Sequence, residues 1–95
     1  MRERDLQDMM EQAAGYLGWR CFHDRDSRRN NPGFPDLVCI RDGKLLVLEL
    51  KTEKGRVRPE QVEWLDDFAQ VPGVVARIVR PADVDDVLAI LQEAS

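Results

Sequence analysis

Asp36-Leu37-Val38-Cys39-Ile40-Arg41-Asp42-Gly43-Lys44-Leu45-Leu46-Val47-Leu48-Glu49-Leu50-Lys51 is two apolar runs joined by Asp-Gly. Asp-Gly tolerates the positive φ angles of a two-residue hairpin turn, whose twist matches that of its strands. With Asp42 and Gly43 as the loop, Arg41 pairs with Lys44, and the same register places Asp36 directly opposite Glu49. Opposed residues on one sheet face hold their Cβ atoms about 5 Å apart, where two carboxylates repel. Lys51, two residues beyond Glu49, points to the same face. The unbroken run from Leu45 to Leu48 has the character of an interior strand. Charges half-buried at its end are costly unless paired or metal-bound. A divalent cation between Asp36 and Glu49 answers that cost, and hard oxygen ligands suit Mg²⁺ or Mn²⁺. Beside it, Lys51 would orient a nucleophile or stabilise the charge that gathers on a phosphorane-like transition state. The plainer reading is a turn-capping Asp36 and a Glu49–Lys51 surface ion pair.

Outward from the hairpin, the spacing of Leu6, Met10, Ala13 and Leu17 predicts a helix from about Glu3 to Leu17, closed by Gly18. Glu3 and Gln7 lie on or beside that stripe. Trp19 to His23 alternates like a strand, and residues 25–35 read as a long loop. On the other side, Pro59 suits the first position of a second helix, with Gln61, Leu65 and Phe68 on one face and Val57 and Val62 able to staple its start. Pro72-Gly73 stops it, Val74 to Val79 is a fourth strand, and Pro81 and Asp83 introduce a last helix bearing Val84, Val87, Leu88 and Leu91. The order is α-β-β-β-α-β-α, an α/β fold read as a single domain over residues 1–95.

The chain has 95 residues, 43% of them hydrophobic and 34% charged, an ordinary globular balance. No apolar run approaches the roughly 20 residues of a membrane span, and the charged start, Met1-Arg2-Glu3-Arg4-Asp5, is unlike a secretion signal. Cys21 and Cys39 sit in apolar runs and read as reduced core residues of a cytoplasmic protein. Cys21 and His23 alone cannot make a zinc site. The net charge of −4 argues at first against a nucleic-acid partner. Its distribution changes that: residues 83–95 hold four acids and no base, whereas residues 20–58 hold ten bases and six acids. The middle segment can face phosphates while the C-terminal helix carries the acid.

Phe34-Pro35-Asp36-Leu37 followed by Glu49-Leu50-Lys51 resembles the PD-(D/E)XK nuclease signature. With Pro32-Gly33 before it and Pro59-Glu60-Gln61-Val62-Glu63-Trp64-Leu65 after it, the pattern is similar to the VRR-Nuc (virus-type replication-repair nuclease) branch in its small phage and bacterial form, from Glu3 to about Arg80. The resemblance implies a restriction-endonuclease-like α-β-β-β-α-β core with a mixed sheet, an extra C-terminal helix, and use of Mg²⁺ or Mn²⁺. It makes Asp36, Glu49 and the backbone carbonyl of Leu50 the metal ligands and Lys51 the catalytic lysine. It puts Gln61 at the border of the site and matches Glu3 to a first-helix glutamate, with Glu11 as an alternative on the same helix. It further implies a homodimer, since two symmetric nicks resolve a four-way junction.

Arg25, Ser27, Arg28 and Arg29, and likewise Lys54, Arg56 and Arg58, either contact DNA phosphates or simply solubilise their loops. His23 reads as a strand residue near the surface, and Trp19 and Trp64 as core or interface. The main reading is a structure-selective DNA endonuclease acting on branched DNA, including four-way (Holliday) junctions. The alternatives are a nuclease-like module that binds DNA or a partner without cleaving, and an assembly subunit.

Overall fold

The computed structural model describes residues 1–23 and 31–93. Helix α1 (Glu3–Tyr16) leads into β1 (Arg20–His23), β2 (Leu37–Arg41) and β3 (Lys44–Leu50); α2 (Pro59–Ala69), β4 (Val74–Val79), a 3₁₀ turn (Pro81–Asp83) and α3 (Val84–Glu93) follow. The sheet order is β1-β2-β3-β4. The first three strands are antiparallel neighbours, and β4 runs parallel to β3. Parallel pairing needs a crossover, and α2 supplies it. The expected element order and mixed sheet are present.

Asp42 (φ 50°) and Gly43 (φ 79°) both take the left-handed conformation that a two-residue hairpin demands, and Arg41 pairs with Lys44. The ladder keeps the anticipated register but ends at Leu37–Leu48. Asp36 therefore stands one residue outside the strand, not as a paired strand residue: its side chain turns to cap a nearby amide, and Oδ2 accepts from Leu50 N–H at 2.8 Å.

Alternation along the strands divides the sheet into two faces. Leu37, Cys39, Leu46, Leu48, Leu50 and Val79 point to one face and form the core with Leu6, Met10 and Ala14 of α1, Val87 and Leu91 of α3, and Trp19. Ala14, not Ala13, takes the buried place on α1, because a 3.6-residue period rotates the packed stripe along the helix. Ala13 and Leu17 are half-buried at its margin. Trp19 gives its indole N–H to Leu91 O at 3.1 Å, which meets one of the carbonyls a helix end leaves open. Cys21 and Cys39 are free thiols facing each other between β1 and β2, Sγ to Sγ 2.9 Å. Glu49 alternates to the opposite face, where α2 packs on β4 and β3.

Three helical segments start alike. Arg2, Arg58 and Arg80 each occupy the cap position, and the side chain three residues on (Asp5, Gln61, Asp83) accepts the backbone N–H of that arginine at 3.2, 2.9 and 2.9 Å. This is the returning half of a capping box. Val62, expected to staple the start of α2, remains 40% exposed.

Candidate active site

The C-terminal end of β3 brings Glu49 and Lys51 to the α2 face, and the approach to β2 brings Asp36 beside them. That approach is held from α2. Phe34 meets Trp64 edge-on at 5.0 Å and Phe68 at 6.0 Å. Gly33, at φ 86°, lies so close to α2 that a Cβ would stand 2.6 Å from the Glu60 carbonyl carbon. Trp64 is thus half-buried in an aromatic cluster that fixes the chain just before Asp36.

Glu49 is 1% exposed and Lys51 8%. Glu49 Oε2 accepts from Gln61 Nε2 at 3.0 Å and lies 3.7 Å from Lys51 Nζ. Glu49 Oε1 is buried with no hydrogen-bond partner. Burial first, and the neighbouring Asp36 carboxylate second, push the Glu49 carboxyl up to about 9, against the pull of Lys51. The amide of Gln61 is oriented by its other end, since Oε1 takes the Arg58 N–H.

These residues fit a hard divalent cation. Asp36 and Glu49 lie close enough to interact, one Glu49 oxygen is buried without a donor, and Gln61 bonds the other with the Lys51 ammonium nearby. Asp36 and Glu49 would hold the ion, and the carbonyl of Leu50 lies between them and Lys51 in the motif. Among the described residues no third acidic, histidine or cysteine side chain joins the pair. Glu3, matched to a first-helix glutamate, is exposed on the opening turn of α1; its charge raises the Glu49 carboxyl only as the last of several causes. Glu11, the alternative, is turned to Gln7 (3.4 Å) and His23 (3.8 Å).

Arg25, Ser27, Arg28 and Arg29 lie outside the described residues. Lys54, Arg56 and Arg58 are exposed on the segment after Lys51, with Arg58 3.6 Å from Glu60. Gln7, on the α1 stripe, is buried at 7% exposure and bonds Glu11. One residue escaped the sequence reading as part of the surroundings: Arg80 binds the turn after Lys51, and no local pattern marks it.

A mixed sheet in this order, with a crossover helix after the third strand and an acidic pair and lysine at that strand's end, is the restriction-endonuclease-like nuclease fold. The chain belongs to the VRR-NUC domain family, whose pattern matches residues 3–80. A solved VRR_NUC domain protein superposes with a TM-score of 0.62 at 19% identity, over 92% of this chain and 85% of that one. Hjc of Archaeoglobus fulgidus, a Holliday junction resolvase from an archaeal hyperthermophile, superposes with a TM-score of 0.51 at 25% identity. The match covers 83% of this chain and 65% of Hjc, a little under two thirds of its length. No curated protein sequence matches the chain significantly. No helix among the described residues is long and apolar enough to cross a membrane.

Proposed function

We propose that this nuclease domain is a Mg²⁺- or Mn²⁺-dependent endonuclease that hydrolyses phosphodiester bonds in branched DNA, four-way junctions included. The buried, donorless Glu49 Oε1 beside Asp36 carries the reading. A cation held by Asp36, Glu49 and the Leu50 carbonyl supplies polarisation of the scissile phosphate. The chain's own residues do the rest. Gln61 fixes the Glu49 carboxylate by taking one oxygen, which leaves the other for the ion. Lys51, its Nζ beside that carboxylate, stabilises charge building on the phosphate oxygens or orients the attacking water. Lys54, Arg56 and Arg58, with Arg25, Ser27, Arg28 and Arg29, track the DNA backbone. Glu3 is the least supported member of the catalytic set.

Branched DNA as substrate is supported by the likeness to Hjc. The proposal includes a homodimer, because one small site makes one nick and a four-way junction needs two. Phe22 and Ile40, 60% and 49% exposed on the sheet face that carries Glu49, supply apolar surface for it. The acidic helix α3 lies on the other face, away from the DNA. The test is purified protein with Mn²⁺ against linear, flap and four-way junction DNA, with light scattering at micromolar concentration. Paired nicks in the junction by a particle of twice the chain mass are expected. Absence of metal-dependent cleavage on all three rejects the nuclease reading. A monomer that cuts only flaps moves it to flap cleavage.

A further inference from the structure

Arg80 follows β4, remote in sequence from the motif residues. Its Nη1 donates to three backbone carbonyls: Thr52 at 2.7 Å, Gly55 at 2.9 Å and Glu53 at 3.2 Å. All three belong to the turn that follows Lys51, itself closed by Gly55 N–H to Thr52 O at 3.2 Å. Carbonyl oxygens gathered this closely repel one another unless a cationic donor sits among them. A second tether parallels the first: Ala82 N–H donates to Glu53 Oε1 at 2.9 Å.

The same turn lies against the lysine. A Cβ on Gly55 would stand 2.9 Å from Thr52 Oγ1 and 3.5 Å from Lys51 Cδ, so the backbone there covers the lysine stem. Lys51 N–H is bonded to the carbonyl of Val79, the residue before Arg80, at 2.9 Å. Lys51 is therefore held at its backbone by β4 and along its stem by the turn that Arg80 gathers. A lysine at a strand end otherwise extends its ammonium to water. Here Nζ stays 3.7 Å from Glu49 Oε2.

We infer that Arg80 is a positioning residue for Lys51: by binding the carbonyls of residues 52, 53 and 55 it seats the turn that keeps the ammonium at the acidic pair. The inference rests on the nuclease reading of that pair. It also accounts for a half-buried arginine whose guanidinium serves backbone carbonyls.

The test compares Arg80→Met, which keeps length but removes the donors, with Arg80→Lys, which keeps a cation with several donors. Turnover is measured at saturating junction DNA and Mn²⁺. Misplacing a reacting group by about 1 Å costs up to about a hundredfold, so Arg80→Met should lose roughly ten- to a hundredfold in kcat while Mn²⁺ affinity holds. Arg80→Lys should recover most of the loss. Amide exchange in residues 52–55 should quicken in Arg80→Met. If that variant does not fold, Glu53→Ala, which removes only the second tether, should show a smaller loss in the same direction. Wild-type turnover in Arg80→Met, no rescue by lysine, or unchanged exchange each overturns the inference and leaves the nuclease reading standing. A wild-type chain that cleaves no DNA removes both.

Discussion

The side-chain amide of Gln61 spans from the cap of α2 to the buried acid: it accepts the Arg58 N–H and donates to Glu49 Oε2 at 3.0 Å. One residue thus couples the start of a helix to the orientation of the buried Glu49 carboxyl. Gln61→Ala removes both bonds, and leaving a buried acceptor unmet costs roughly 1–3 kcal/mol. Gln61→Glu keeps the bond to Arg58 but sets a carboxylate against Glu49. Thermal melts should show Gln61→Glu destabilised in chelator and recovering on addition of Mn²⁺. Failure to recover counts against Glu49 as a ligand.

Asp36→Asn and Glu49→Ala should each abolish metal-dependent cleavage while circular dichroism stays that of the parent. The asparagine side chain retains an oxygen to accept the Leu50 N–H, so the activity lost in Asp36→Asn reports the charge and not the cap. Full activity in both variants sinks the assignment.

Lys51→Ala should bind Mn²⁺ as the parent does and still fail to cleave, because in the proposed role its ammonium would act on the phosphate and ligate nothing. Calorimetric titration of Mn²⁺ separates the roles. A Lys51→Ala chain that loses the metal while Asp36→Asn keeps it would reverse them.

Glu49 binds its proton up to about pH 9 in the metal-free fold and gives it up near the ordinary carboxylate range when unfolded. Between those limits the folded state holds the extra proton, so stability falls as pH rises. This contribution is full below the unfolded value and is lost as pH passes about 9. Denaturant melts in chelator should therefore weaken from about pH 5 to about pH 9. Asp36→Asn should flatten that slope, since the Asp36 charge is the second cause of the shift, after burial. A slope unchanged by Asp36→Asn argues that the two carboxyls do not interact. Mn²⁺ uptake below about pH 9 should release a proton, measurable as a buffer-dependent heat.

Gly33→Ala should be among the most damaging loop substitutions. The left-handed backbone costs about 1–2 kcal/mol for a side-chain-bearing residue, and the added methyl meets Glu60 backbone. The melting midpoint and cleavage should fall together, because the strand approach that sets Asp36 against Glu49 shifts. A stable, active Gly33→Ala chain means that this packing does not set Asp36.

Local chemistry made much of this protein legible from sequence. The Asp42-Gly43 turn dictated the hairpin register, since two positive-φ residues leave only one pairing of Arg41 with Lys44. That register brings Asp36 and Glu49 to neighbouring places without any help from tertiary contacts. Local patterns placed the first helix and the four strands within a residue of their observed bounds and the start of the second helix at Pro59, although the α1 stripe turned from Ala13 to Ala14. Such signals act over a few residues and survive in any fold that buries the apolar face. The environment of the pair was set otherwise. Glu49 and Gln61 meet across 12 residues, and Arg80 reaches Thr52 across 28. Those contacts exist because β4 pairs in parallel with β3 and α2 packs over their far face. Turn chemistry and periodicity say nothing of which distant strand becomes the neighbour; burial of the whole chain decides it. The acids of the pair were determined by the sequence alone, while the unmatched oxygen, the raised Glu49 proton affinity and the seat of Lys51 came only from the tertiary structure, because desolvation and converging dipoles arise only when remote segments close around them.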